Sequence, residues 1–223
     1  SHKVVDYKAC ATSAMREAIN GSEVVKVIKK KTGVSINIID GSDEAAIIAN
    51  TDLQSLITSD RSYLYVDVGG GSTEFTLYSG GEVVAFRSFK LGTVRLLEGL
   101  VGHNTWNEVE QWIKEVTEGH KKIDLIGSGG NINKIFKLSG KKDGKPLTYF
   151  YMVTFYEFIQ SYTYEERVTE LGLNLDRADV IIPATRIYLS AMKWSRSKNI
   201  YVPKIGLSDG IIKSLYNDKT QPA

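Results

Sequence analysis

The stretch YVDVGGGSTEFTLY, Tyr65 to Tyr78, decides how this chain folds. Two β-rich runs flank three glycines. Asp67 stands before the glycines and Glu74 after them. A tight hairpin turn is served by Asn-Gly or Gly-Gly, and a further glycine only adds backbone entropy to be lost on folding. A ligand that approaches bare backbone gives a reason for the third. The amides of Gly69, Gly70, Gly71, Ser72 and Thr73 can surround an anionic oxygen without Cβ obstruction, and Ser72 and Thr73 add hydroxyl donors. Carboxylates beside such a cradle repel an anion unless a cation lies between them. Mg²⁺ meets that need, because it takes oxygen ligands, keeps several waters and bridges to phosphate. The alternative is a glycine-rich hairpin with two solvent-facing acids.

Around this stretch, Tyr63–Val68, Ser72–Tyr78 and Glu82–Lys90 read as three strands of an antiparallel meander. Upstream, the first 57 residues read as strand, helix, helix, strand, helix. Val4–Ala11 is taken as a buried strand, Thr12 or Ser13 as the cap of a short helix, and Ser22 as the cap of a second. VSINIID is the next strand, and Ser42 is read as the cap of a helix running to about Leu56. Downstream come helices near Val94–Leu100 and Asn107–His120. KIDLIGSGGNINKIFKL follows as a buried strand, a glycine turn and a helix. That second turn, Gly127 to Lys134, places Gly129, Gly130 and Asn131 at a helix N-terminus, an anion site by geometry and dipole. Thr154–Tyr162 and Tyr164–Leu171 are expected as helices. Asp176 is expected to cap a long helix through Trp194, in which Pro183 either kinks the helix or marks a shorter first segment. A short strand at Asn199–Pro203 and a helix at Leu207–Asn217 close the chain. The fold class is mixed α/β.

Composition narrows the function. The 223 residues are 42% hydrophobic and 24% charged, with a net charge of +2. That balance suits a folded core and gives no nucleic-acid track; the clusters at Lys29–Lys31 and near Lys141 read as solvated surface. No apolar run approaches the roughly 20 residues of a membrane span. Cys10 is the only cysteine, which rules out an internal disulfide and a cysteine metal cluster and suggests the cytoplasm. His2, His103 and His120 lack metal-site spacing. From spacing alone, Glu44, in the first turn of a helix, reads as a carboxylate that serves the helix dipole, and Arg16 as a surface or salt-bridge residue, more readily than either reads as a functional group.

Taken together, VDVGGGSTEF and FKLGTVRL resemble the exopolyphosphatase and guanosine pentaphosphatase (Ppx/GppA) family. ATSAMREAIN and IIDGSDEA upstream, and GSGGNINK, DRADVIIPA and GLSDG downstream, match it in order, from about Val5 to Tyr216. The resemblance implies ribonuclease-H-like lobes of the actin and sugar kinase superfamily, with a mixed sheet flanked by helices. Residues 1–57 would be the remainder of a first lobe and 58–223 the second. It also implies that Gly69 to Thr73 form one phosphate loop and Gly127 to Asn131 another, that Asp67 and Glu74 position Mg²⁺, that Glu44 is the catalytic acid acting on water, and that Arg16 contacts phosphate. The implied partner is polyphosphate or a guanosine polyphosphate, without nucleic acid or membrane; a homodimer stays open. The chain departs from the family pattern at Ala46, where arginine is usual, at Asn131, where threonine is common, and at Ser208, where arginine is common. It also lacks the family's opening strand with a GTNS-like loop, so the 223 residues alone are expected to turn over little substrate.

The expected reaction is attack of water on a terminal phosphoanhydride. Two rivals stand beside it: an ATP-using kinase or ATPase with an adenosine pocket around Gly129 and Gly130, and a non-catalytic sensor of guanosine polyphosphates. Stronger thermal protection by Mg²⁺-ATP than by polyphosphate would favour the kinase.

Overall fold

The computed structural model describes residues 4–49, 51, 53 and 56–220. They divide into two units, residues 1–54 with 205–223, and residues 55–204.

In the first unit, strand β1 (Ala9–Ala11) pairs in parallel with β2 (Ile36–Ile38). A parallel pair needs a crossover, supplied here by α1 (Ser13–Glu17) and α2 (Gly21–Thr32). The opening residues do not form the buried strand read from the sequence. Val4 and Val5 are exposed, and regular pairing begins only at Ala9. Helix α3 (Gly41–Ala49) is capped by Asp40 rather than Ser42: the Asp40 carboxylate accepts from the Asp43 amide at 2.9 Å and from the Ser42 hydroxyl at 2.6 Å. The sequence reading carried this helix to Leu56, but residues 50, 52, 54 and 55 lie outside the described set. The last helix, α11 (Leu207–Thr220), packs on α3 in this unit. A Cβ on Gly210 would come within 2.3 Å of the Ile47 carbonyl oxygen, so the two backbones meet there. Residues 205–223 therefore group with the first unit, whereas the sequence reading had placed 58–223 together.

The second unit is built on a six-stranded mixed sheet in the order β5-β4-β3-β6-β8-β7. Strands β3 (Ser62–Val68), β4 (Thr73–Ser79) and β5 (Glu82–Phe89) form the expected meander. Strand β6 (Ile123–Ser128) runs parallel to β3, and β8 (Asn199–Tyr201) parallel to β6. The edge pairing of β7 (Leu147–Thr148) with β8 was not foreseen, since two residues carry no periodic signal. Strand β3 is buried on both faces, which explains its unbroken apolar and aromatic run. One face, with Leu64, Val66, Phe75, Leu77 and Leu125, packs on helices α5 (His103–Val116), α6 (Gly130–Leu138) and α7 (Tyr149–Gln160). The long helix expected from Asp176 is two: α9 (Leu175–Ala178) and α10 (Ile181–Trp194). Pro183 falls in the first turn of α10, where its missing N–H has no intrahelical partner to lose. The remaining helices are α4 (Thr93–Leu97) and α8 (Tyr164–Thr169), the latter closed by a capping box between Thr163 and Glu166.

Helix α10 ends in a Schellman motif. The Ser197 amide donates to Met192 O at 2.9 Å and the Arg196 amide to Lys193 O at 3.3 Å. Arg196 takes the left-handed position at φ 58, which glycine usually fills, and is the non-glycine residue with positive φ among those described. Arg196→Gly is expected to stabilise the protein by about 0.5–1 kcal/mol, raising Tm by about 1–4 °C in a calorimetric melt.

Candidate functional site

The sheet register assembles the first part of the site. Asp67 on β3 pairs directly with Glu74 on β4 and with Ser128 on β6, and Glu74 pairs with Ser88 on β5. Directly paired residues share a face, with antiparallel Cβ atoms about 4.5–5.5 Å apart. Ser88, Glu74, Asp67 and Ser128 therefore form one polar row across four strands, at the end of β3 where the glycine turn begins. Two acids on one face and side by side are what a shared cation needs; a hairpin with acids on opposite faces would not supply it. Glu74 is buried, and its Oε1 accepts from the Ser72 hydroxyl at 2.7 Å and the Ser88 hydroxyl at 2.8 Å. Those bonds fix the carboxylate in direction.

The turn itself is held from outside. The Gly69 amide donates to Ser72 O at 3.0 Å, so Gly69 closes the turn and its own N–H is not left for an anion. The turn's carbonyls are taken up as well. Gly69 O accepts from the Thr93 amide and Gly70 O from the Val94 amide, each at 3.0 Å, and Gly71 O accepts from Arg95 Nε at 2.7 Å. Thr73 donates its hydroxyl to Leu91 O, a structural use of a group that the sequence reading gave to phosphate. Among the described residues, no backbone hydrogen bond takes the amides of Gly70, Gly71 or Ser72. The start of α4 thus engages the carbonyl side of the turn and leaves the amide side to a ligand.

Gly92 makes this approach feasible: a Cβ there would stand 2.2 Å from Gly70 O and 2.5 Å from Gly71 C. These are backbone atoms, which cannot swing aside. Gly92→Ala is expected to push α4 off the turn, costing about 1–3 kcal/mol of stability. A urea titration, run beside an assay of phosphate-chain binding, should show both fall together.

The second glycine turn lies next to the first because β6 lies next to β3. Gly129, at φ 110 and ψ 159, holds a conformation open to glycine alone and precedes α6. A Cβ on it would lie 3.5 Å from Asp67 Oδ1 and 3.2 Å from Val68 O. The N-terminal amides of α6, from Gly130 and Asn131, are without intrahelical partners by construction. Asn131 is buried, and its Oδ1 has no hydrogen-bond partner among the described residues.

Four contributors went unread in the sequence. The Arg177 guanidinium lies over Gly130, with Nη1 2.2 Å from the place of a Gly130 Cβ. No ion pair engages it among the described residues, so a cation sits at the positive end of a helix, an arrangement that an anion relieves. Arg95 and Ser88 join through the turn and the register, and Tyr188 through its hydroxyl, which donates to Ser128 O. DRADVIIPA and FKLGTVRL contain the two arginines, but the signal that singles them out is spatial.

The first unit holds its own pair. Arg16, on α1, donates through Nη1 to Ile39 O at 2.6 Å and to Glu44 Oε1, on α3, at 3.3 Å. The structure thus brings Glu44 and Arg16 together and leaves Arg16 Nε and Nη2 without a described partner. Among the described residues, no group of three or more His, Cys, Asp or Glu is suited to a metal, and no helix is long and apolar enough to cross a membrane.

A meander joined to parallel strands, with glycine turns at the ends of two adjacent strands, is the mixed sheet of the actin-like ATPase fold. Within that class the chain belongs to the Ppx/GppA phosphatase family, whose profile matches residues 1–219. It is 23% identical over 224 aligned residues to exopolyphosphatase 1 of Mycobacterium leprae, covering 92% of this chain and 66% of the relative. It is 35% identical over 138 residues to a bifunctional 3-dehydroquinate synthase/phosphatase of Fusobacterium nucleatum, covering 54% of this chain and 20% of that protein. The crystal structure of an exopolyphosphatase from Cytophaga hutchinsonii superposes with a TM-score of 0.81 at 22% identity, over 96% of this chain and 76% of that one. The chain thus spans between a fifth and two thirds of these two curated relatives' lengths.

Proposed function

We propose that this chain is part of a hydrolase that removes the terminal phosphate of inorganic polyphosphate, of guanosine pentaphosphate, or of both. The observation that carries the reading is the Asp67–Glu74 cross-strand pair, set between two turns whose amides are open to an anion. Family membership and the names of the relatives support the reaction class.

Mg²⁺ fits the donor set. Two hard carboxylates stand on one face, Glu74 is aimed by two hydroxyls, and an ion that keeps several waters needs no third protein acid. Bound there, the ion would offset charge on the transferring phosphoryl oxygens. The chain's own groups do the rest. Amides of Gly70, Gly71 and Ser72 bind one phosphate. Those of Gly129, Gly130 and Asn131, with Arg177, bind another. Arg16 contributes donors through Nε and Nη2, and Glu44 orients the attacking water and accepts its proton. A cytoplasmic location, expected from the single cysteine, belongs to the same proposal.

The kinase reading, which expects an adenosine pocket around Gly129 and Gly130, is less favoured because the Arg177 guanidinium lies over Gly130. The test is phosphate release by the full-length protein from polyphosphate and from guanosine pentaphosphate, with Mg²⁺ and with EDTA. Mg²⁺-dependent release from either substrate supports the proposal; release from neither overturns it.

A further inference from the structure

We propose that the Tyr188 hydroxyl is a positioning group that aims the Gly129 amide at bound phosphate, an inference that rests on the proposed function above. Tyr188 is fully buried on α10, on a face shared with Ala184, Thr185, Ala191 and Met192. Its hydroxyl reaches off that face and donates to Ser128 O, which lies 60 residues earlier in the chain. The same hydroxyl is 3.6 Å from the place of a Gly129 Cβ, and Asp67 Oδ1 is 3.5 Å from it. The phenol, the Asp67 carboxylate and the Gly129 backbone therefore adjoin.

The peptide joining Ser128 to Gly129 is a rigid trans plane, so its carbonyl and its N–H point in opposite directions. A hydroxyl that holds the carbonyl on the Tyr188 side fixes the Gly129 N–H on the other. The pairing of Ser128 with Asp67 at the last step of the β3–β6 ladder holds the same peptide, and the Tyr188 hydroxyl adds a second hold where that ladder stops. The N-cap of α6 is Gly129 itself, which has no side chain to cap with, and its φ of 110 is a conformation that the isolated chain does not favour over others. A hydrogen bond accepted by the carbonyl also polarises the amide, which makes its N–H a stronger donor. Tyr188 touches neither phosphate nor water in this scheme; it acts through the Ser128–Gly129 peptide.

Tyr188→Phe removes the oxygen and keeps the ring in its packing. Binding of inorganic tripolyphosphate, measured by calorimetry, is expected to weaken about threefold to tenfold. The kcat at saturating substrate should change less than KM, because the group holds substrate and substrate-like states equally. Tyr78→Phe serves as the control: that hydroxyl is buried without a hydrogen-bond partner among the described residues, and Tyr78 pairs with Tyr63 at the end of β4 away from the turn, so its loss should leave the Kd unchanged. In the wild-type protein, the Gly129 amide resonance should move on titration with tripolyphosphate, and in Tyr188→Phe it should start from a different shift and move less. A wild-type Kd in Tyr188→Phe, or a Gly129 resonance that tripolyphosphate leaves in place, overturns the inference. If wild-type protein binds no tripolyphosphate, the proposed function fails instead, and the two failures are thus distinct.

Discussion

Glu44→Gln in the full-length protein is expected to lower turnover by about 10²-fold or more while phosphate-chain binding holds or tightens. The amide keeps the size of the carboxylate, and its oxygen can still accept from Arg16 Nη1, which stands 3.3 Å from Glu44 Oε1. Arg16 also keeps its bond to Ile39 O, so the local packing of α1 on α3 survives. What is lost is the capacity to take a proton and most of the pull on an attacking water. A residue that only serves the helix dipole would behave differently: its loss would cost a few tenths of a kcal/mol and leave turnover alone. Measuring kcat and Tm on the same preparation separates the two. A kcat near that of wild type would retire Glu44 from catalysis and return the guanosine polyphosphate sensor to the front.

Asp67→Asn should move activity and stability in opposite directions. Asp67 and Glu74 are like charges placed directly opposite in an antiparallel pair, an arrangement that costs about 0.2–1 kcal/mol relative to neutral partners. Removing one charge relieves that cost, so the metal-free variant should melt at the wild-type temperature or up to a few degrees above it. Activity should fall by about 10²-fold, because a primary ligand matters at least as much as the supporting groups behind it, whose loss costs about 10–100-fold. Mn²⁺ binding followed by electron paramagnetic resonance should weaken in step. A variant that melts earlier yet keeps its activity would make Asp67 a structural acid.

The sequence made the meander and both glycine turns legible because strand periodicity and glycine runs are local signals. Asp67 and Glu74 could be placed on one face from the shortness of the turn between them. The carbonyl side of the first turn could not be read: its grip by Thr93, Val94 and Arg95 depends on α4 folding back onto residues more than twenty positions earlier. Thr73 was misread for a related reason. Its hydroxyl looks like a phosphate donor beside three glycines, yet the strand pairing turns it to Leu91 O. Arg177 and Tyr188 were invisible as site residues, because only the packing of α9 and α10 brings them to the Ser128–Gly130 turn. The cap of α3 shows a milder failure. Asp40 and Ser42 are both good caps by composition, and the choice between them rests on where the backbone leaves β2.

The central claim is that a cation held by Asp67 and Glu74 draws a phosphate chain into the two glycine turns. Calorimetric titration of the full-length protein with inorganic tripolyphosphate, in Mg²⁺ and in EDTA, tests it most directly when repeated on the Asp67→Asn, Glu74→Gln double variant. The account predicts binding at least about tenfold tighter in Mg²⁺ than in EDTA for the wild type, a difference that disappears in the variant. Equal binding in Mg²⁺ and EDTA by the wild type, or a Mg²⁺ effect that persists without the two carboxylates, would contradict it.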